Sequence, residues 1–271
     1  MTSGRKVFYE PEYLRDSVEN HIRNLPDKES RIDYLTIVPD GEPTLDLNLG
    51  KLIRLLKPIK FNIAVITNST LLDDPEVRED LKLADLVSIK VDSVDKKIWK
   101  RIDRPHGKLV PGNILHGIEA FAASYEGELI TETMLVKDLN DGEDSLHRTS
   151  EFLGKLNPDK VYISIPTRPP AENWVAPPDE NNINAAFQIY QQSGLRVEYL
   201  IGYEGNEFSS TGDFERDLLS ITAVHPMRED AVIDLVKRTG GNMDIVEKLV
   251  QAGSLIISEY HQNRFYLRKL K

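Results

Sequence analysis

Residues 86–92, "LVSIKVD", decide how the rest of the chain is read. Side chains alternate along an extended backbone, so Val87, Ile89 and Val91 share one face and Ser88, Lys90 and Asp92 the other. Residues 161–165 repeat the pattern, with Val161, Ile163 and Ile165 opposite Tyr162 and Ser164. Around these segments, apolar runs of strand length alternate with amphipathic runs of helix length. Strands are predicted at 32–38, 62–67, 85–91, 129–136, 160–165 and 196–201. Helices are predicted at 11–25, 48–57, 74–82, 95–101, 112–125, 143–155 and 179–193. Such alternation implies a parallel sheet with right-handed crossovers. Strands of an open doubly wound sheet are covered on both faces and read as continuously apolar. A polar row along parallel strands fits a wide barrel better, with a wet or ligand-filled lumen and helices outside. The α/β fold class expected is therefore a partial, TIM-like (β/α)6 barrel. The chain opens on a helix, so the first strand of a βα series is missing. The start "MTSG" reads as an internal start codon or an engineered terminus.

The 271 residues suffice for one large domain, or one of about 200 residues with a small appendix. Apolar residues make up 40% and charged residues 29%, the balance of a globular protein. No run approaches the roughly 20 apolar residues of a membrane helix, and no signal-peptide core is present, so a cytoplasmic protein without membrane partners is expected. The net charge of −10 argues against non-specific binding to nucleic acid or anionic lipid. The chain has no cysteine, which removes disulfides, thiolate metal sites and a cysteine nucleophile.

Three segments follow from the pattern: a barrel over 1–201, a Gly-, Ser- and acid-rich linker over 202–213, and a domain over 214–271. In the last, helices at 214–222, 227–239 and 242–252 precede two strands around a His-Gln-Asn turn, which predicts a winged helix. A DNA reader carries a basic footprint. Residues 214–271 hold nine Lys/Arg against eight Asp/Glu, and the helix "NMDIVEKLVQAG" sets Asp244 and Glu247 against Lys248. Arg264, Arg268, Lys269 and Lys271 form the one basic cluster. Docking of a protein partner, or gating of substrate, is expected ahead of duplex binding.

Ligands of parallel α/β folds sit at the carboxyl ends of the strands. Those ends here read "DGEPT" (40–44), "TNST" (67–70), "VDS" (91–93), "KDLND" (137–141) and "PTRPPAE" (166–172). A Gly-Glu-Pro turn can offer backbone N–H and C=O groups to a ligand, since Gly lacks Cβ and Pro fixes φ. Asn68 and Asp92 suit sugar hydroxyls or an amino acid moiety. Plainer readings stand beside these. Glu42 and Glu132 could be a glycosidase pair, although only Trp99 and Trp174 are present as sugar platforms. The Gly-Glu-Pro turn could be structural, and Asp92 could cap the following helix. Lys90 and Glu132 could pair inside the barrel, and His106 reads as a surface histidine. "TRPPAE" is equally a rigid closing loop or a substrate contact.

Taken together, "DYLTIVPDGEPTL", "AVITNSTLL", "DLVSIKVDS", "RIDRPHGKL", "ETMLVKDLND" and "VYISIPTRPPAE" resemble radical S-adenosylmethionine proteins. The closest resemblance is to the Fe–S oxidoreductase group related to tRNA wyosine-base synthesis enzymes, over about residues 5–175. The resemblance implies that Gly41, Glu42 and Pro43 form the turn whose backbone receives the methionyl amino group, with Asp40 replacing the motif's first glycine. It implies that Asn68 meets the cofactor, that Ser88, Lys90 and Asp92 supply ribose and carboxylate contacts, and that Glu132 points inward. The backbone around Ile165 and Pro166 would meet adenine. It further implies S-adenosylmethionine and a four-iron, four-sulfur cluster as cofactors, reductive cleavage to a 5′-deoxyadenosyl radical, and a small-molecule or RNA substrate. The cluster needs a C-x3-C-x2-C segment, which this sequence lacks, so no cluster and no radical activity are expected of the chain as given. A truncated gene or expression product accounts for this, as does a naturally cluster-free paralogue acting as a binding or regulatory protein.

Overall fold

The computed structural model describes residues 3–25, 32–39, 41–200, 210–224, 226–260 and 262–269. Two compact units emerge. The first comprises Met1–Asp16, Ile32–Pro166 and Asn173–Ile201; the second comprises Ser17–Arg31, Thr167–Glu172 and Gly202–Lys271. In chain order the first part runs α1 (Pro11–Arg23), β1 (Tyr34–Ile37), a 3-10 turn (Pro43–Leu45), α2 (Leu49–Leu56) and a second 3-10 turn (Lys57–Ile59). It continues through β2 (Asn62–Thr67), α3 (Pro75–Leu81), β3 (Leu86–Lys90), α4 (Lys96–Ile102), α5 (Pro111–Ala122) and β4 (Glu128–Met134). Then come α6 (Glu143–Leu156), β5 (Lys160–Ser164), α7 (Glu180–Gln192) and β6 (Val197–Leu200). The starts are written locally. Asp74 and Asp95 accept hydrogen bonds from the first free N–H groups of α3 and α4, and Pro75 and Pro111 occupy first-turn positions whose N–H has no helical partner.

All six strands are parallel and sit in sequence order β1-β2-β3-β4-β5-β6. The alternation expected of 86–92 holds along the sheet. Ile63, Val65, Val87, Ile89, Leu129, Val161 and Ile163 are buried on the helix-covered face. In register on the opposite face run Ile66, Ser88 and Ile130, and one step on, Lys90, Glu132 and Tyr162. That face is concave. Tyr34 on β1 donates to Glu128 on β4 at 3.1 Å, although three strand spacings in a flat sheet amount to about 14 Å. Sequential order with this curvature fits a partial barrel and excludes a doubly wound order with β1 central. β1 and β6 are its two edges.

Gly117 sets how closely α5 approaches the loop after β2, since a Cβ there would lie 2.2 Å from the Leu72 carbonyl oxygen. Among the described residues no helix is long and apolar enough to cross a membrane.

The C-terminal elements are α8 (Phe214–Val224), β7 (Met227–Arg228), α9 (Glu229–Thr239), α10 (Met243–Gln251), β8 (Leu255–Tyr260) and β9 (Asn263–Arg268). Here the structure corrects the sequence reading. The sheet has three antiparallel strands in the order β7-β9-β8, because Met227 and Arg228 pair with Tyr266 and Phe265 instead of opening the helix. Phe214, Leu218, Met227, Ala231, Val232, Leu235, Val246, Leu249, Leu255 and Tyr266 form the core of this unit. Most of the expected linker, and the histidine of the expected turn, lie outside the described residues.

Candidate functional site

At the carboxyl ends of the strands the chain turns polar, and one carboxylate organises that rim. Glu42 is 9% exposed and accepts four hydrogen bonds. Its Oε1 takes Thr44 N–H at 3.1 Å, Thr44 Oγ1 at 2.6 Å and Thr67 Oγ1 at 2.6 Å, and its Oε2 takes Asn68 N–H at 2.7 Å. The side chain therefore ties the Gly41–Pro43 turn to the end of β2. Pro43 is buried beneath the turn, while a Cβ added at the exposed Gly41 would meet nothing within 4 Å. The turn's outer backbone is open. Asp40 lies outside the described residues.

A second clamp holds the turn from behind. Arg5 donates from Nε to the Thr44 carbonyl at 3.0 Å and from Nη2 to the Asp46 carbonyl at 3.2 Å and to Asp80 Oδ2 at 2.7 Å. Asp80 reaches this position past Gly50, where a Cβ would collide with Asp80 Oδ1 at 2.1 Å.

Asn68 is exposed, and its Oδ1 closes a local turn by accepting from Thr70 N–H at 3.0 Å and Thr70 Oγ1 at 2.6 Å. Ser69 is held at φ 67°, and its buried hydroxyl accepts from Lys90 N–H at 3.0 Å. Ser88 and Lys90 project from β3 to the concave face. Lys90 does not pair with Glu132 as the register suggests. Its Nζ lies 3.0 Å from Asp92 Oδ1 and 2.7 Å from Asp92 Oδ2, while Glu132 Oε1 accepts from Ser164 Oγ at 2.7 Å. Nor does Asp92 cap α4, a role taken by Asp95. Asp92 Oδ1 accepts instead from Met134 N–H at 2.8 Å, closing the end of β4. The backbone of Asp92 is held in turn by Asn140, whose Nδ2 donates to the Asp92 and Met134 carbonyls at 2.8 Å each. Ile165 and the buried Pro166 follow β5 directly at the same rim.

Burial alone would lower the pKa of Lys90, but the charges of Asp92, Glu132 and Asp103 outweigh it and hold the ammonium protonated. The pKa of Asp103 is raised as well, which for a carboxyl favours the neutral form. Burial first, then the charge of Asp92, push its carboxyl up to about 8. Trp99 lies under this rim, lining with Asn68, Ser69, Lys90 and Asp92 a cavity of about 20 Å³, room for one water. Trp174 stacks on Arg101 at 4.9 Å, and His106 meets Ser3 Oγ at 3.3 Å, consistent with a loop role. Among the described residues no group of three or more His, Asp or Glu is arranged to hold a metal ion.

Of the ten residues singled out from the sequence, Gly41, Glu42, Pro43, Asn68, Lys90 and Asp92 are joined directly or through one neighbour by these bonds. Glu132 and Ser88 flank them. The sequence reading missed Arg5, Thr67, Ser69, Asp103 and Asn140. The last four lay inside stretches already marked as strand ends or motifs, but nothing in their spacing distinguishes them from ordinary loop polars.

The radical S-adenosylmethionine superfamily model matches residues 2–149. A UPF0026 protein of Methanocaldococcus jannaschii is 44% identical over the whole chain, which spans 84% of that protein. A UPF0026 protein of Helicobacter pylori is 36% identical over 58% of the chain, which spans 51% of it. In fold, the chain is similar to a structure of TYW1 with a lysine-pyruvate adduct bound, at a TM-score of 0.54 and 17% identity, covering 68% of this chain and 63% of that one. The curved six-stranded sheet, its polar carboxyl-end rim and these matches together make the chain a member of the radical S-adenosylmethionine superfamily.

Proposed function

We propose that the carboxyl-end rim is the S-adenosylmethionine site of a radical S-adenosylmethionine enzyme. The observation that carries this reading is the commitment of Glu42. Its carboxylate is spent wholly on Thr44, Thr67 and Asn68, so the turn presents its backbone to a ligand. S-adenosylmethionine fits the donor set. The open backbone at Gly41 suits the methionyl amino group, and the Lys90 ammonium suits its carboxylate. Asp92 Oδ2, buried without a directed hydrogen bond though 2.7 Å from Lys90 Nζ, suits a ribose hydroxyl. Asn68 and Ser88 border these groups, and the Ile165–Pro166 backbone is left for adenine.

The cluster does not fit. It needs thiolates, and none of the 271 residues is cysteine. Bound to such a cluster the cofactor supplies a 5′-deoxyadenosyl radical; no step of that chemistry is assigned to this chain, which binds and orients and is inactive as given. RNA is the substrate class favoured, on the resemblance of the strand-end motifs to tRNA wyosine-base synthesis enzymes. The order α8-β7-α9-α10-β8-β9 supports a winged helix for 214–271. The acidic α10 favours a protein partner such as an electron donor over duplex DNA. The second reading, a cluster-free binding or regulatory protein, is favoured by the missing cysteines.

Titration calorimetry with S-adenosylmethionine tests the site. Charge-assisted hydrogen bonds contribute about 1.5–3 kcal/mol each, and immobilising the ligand costs several kcal/mol. The expected dissociation constant is on the order of millimolar. Micromolar or tighter binding would put the cluster-free reading first. No heat at any attainable concentration would remove the site.

A further inference from the structure

Charge is distributed unevenly over the chain. Residues 96–108, "KKIWKRIDRPHGK", hold six Lys/Arg against one Asp, a net +5 within a chain of net −10. Lys96, Lys97, Lys100, Arg101, Arg104 and Lys108 are all exposed. Lys51, Lys57 and Lys82 each have an acid at ion-pair distance: Glu12, Asp85 and Glu79 respectively. Among the described residues, Lys96, Lys97, Lys100, Arg101 and Lys108 form no ion pair. Asp95, at the start of α4, accepts from the N–H groups of Lys97 and Ile98 and faces Arg148 at 3.9 Å. Asp103 lies inside the stretch, but burial raises its carboxyl to about 8, so it offsets little of the charge at neutral pH. On α4, Lys96 and Lys100 stand four residues apart, as do Lys97 and Arg101, so like charges are neighbours on the helix surface. Such pairs destabilise a helix, and nothing in the packing of α4 calls for them. A bound polyanion would relieve the repulsion.

Two features give the patch a shape. Lys100, Arg104, Pro105, His106, Gly107 and Leu109 line a surface depression of about 310 Å³. Arg104 is held at φ 46°, a left-handed conformation that bends the chain directly after α4 and brings His106 back beside Lys100. Next to it, the Arg101 guanidinium lies 4.9 Å over the ring of Trp174, which is 39% exposed. Cations beside an exposed aromatic face hold single-stranded nucleic acid: the cations take phosphates and the ring takes an unstacked base. A duplex keeps its bases stacked inside and leaves Trp174 without a partner, and a flat lipid surface has no use for the depression. The buried Trp99 of the same helix lines the small cavity with Lys90 and Asp92. A strand on the outer face of α4 would thus lie about one helix diameter, ~10 Å, from the rim.

We propose that the outer face of α4, the loop over 103–109 and Trp174 form a track for single-stranded RNA, with phosphates on the basic side chains and a base on the indole. The choice of RNA rests on the substrate class favoured above; the track itself rests on the unpaired charge and the indole.

Fluorescence anisotropy of a labelled single-stranded RNA of about 12 nucleotides, titrated with the full chain, tests the track. At about 50 mM salt the expected dissociation constant is on the order of 10 µM. The logarithm of the association constant should fall with that of salt concentration at a slope of about −3, from about −0.7 for each of roughly four phosphates. In the triple variant Lys97→Gln, Lys100→Gln, Arg101→Gln, affinity should drop about tenfold or more and the slope should become shallower by about 2. The triple variant Lys51→Gln, Lys57→Gln, Lys82→Gln removes the same charge from lysines that have acidic partners, and should leave both nearly unchanged. Trp174→Ala should weaken binding about tenfold, and Trp174→Phe should recover most of the loss. No RNA binding, equal losses in the two triple variants, or undiminished binding by Trp174→Ala would each overturn the proposal. Capture by phosphatidylserine vesicles without RNA binding would overturn it in favour of a lipid surface. Failure of the cofactor reading shows separately, as absent heat with S-adenosylmethionine while the RNA still binds.

Discussion

At the amino ends of the strands, Asp85 accepts from Ile63 N–H and Asp159 from Leu129 N–H, each at 2.8 Å. At the carboxyl ends, Asp92 accepts from Met134 N–H at the same 2.8 Å. In all three cases a carboxylate closes the ladder of a neighbouring strand, satisfying a backbone group the sheet leaves unpaired. Their surroundings differ. Asp85 faces solvent with Lys57 at 2.7 Å, and although burial opposes it, Lys57 and the Ile63 N–H hold its carboxyl below the ordinary range. The Asp92 side chain is 0% exposed and shares its ammonium with a field that includes Glu132 and Asp103. A scaffold carboxylate and a site carboxylate can thus make the same backbone bond. What separates them is whether each charge has its own partner in water or several charges share one partner out of it.

The largest effect expected from breaking this contrast is at Glu42. Glu42→Ala leaves two backbone N–H groups and two hydroxyls without their acceptor at a buried position, and should cost about 3 kcal/mol in chemical denaturation. A loss under about 1 kcal/mol would mean that water replaces the carboxylate freely and that the carboxyl end is no more enclosed than the amino end. Asp85→Ala should cost about 1 kcal/mol at neutral pH, because one part-buried backbone bond and one exposed ion pair are lost. The Asp85 carboxyl is depressed in the folded state, so its contribution is present above the unfolded value and fades as pH falls through the folded one. The two ends should therefore weaken at opposite limits, the amino end in acid and, because burial raises the Asp103 carboxyl to about 8, the carboxyl end toward alkaline pH. Superimposable pH profiles for Asp85→Ala and wild type would erase that distinction. Lys57→Ala should be the mildest, about 0.5 kcal/mol and smaller still in high salt. A salt-independent loss would place Lys57 in a less solvated setting than its exposure indicates.

How much of this was legible from the residues varies from place to place. The face assignment of Ser88, Lys90 and Asp92 was readable, because alternation needs only neighbouring residues. The ion pair of Lys90 was not. Lys90 stands opposite Glu132 in the register, yet Asp92 shares its face two residues on and closes a shorter pair. The short strand β7 was unreadable, since "MR" has no period to detect and exists as a strand only through Tyr266 and Phe265. Asp103 lay within a quoted motif, but its meaning depends on where α4 ends relative to β3.

The sequence by itself determined the element order, the two-faced strands, the absence of thiolates and the likeness of six strand-end motifs to one superfamily. These are properties of composition and of periods spanning two to four residues, which chain stereochemistry converts directly into local structure. Only the tertiary structure decided that Glu42 faces inward to Thr67 and Asn68, that Arg5 braces the turn, and that Asp92 pairs with Lys90 while closing the end of β4. Those contacts join groups up to 75 residues apart, as in Arg5 with Asp80. Their energetics depend on how much water the curved sheet excludes, a quantity no local stretch of chain contains.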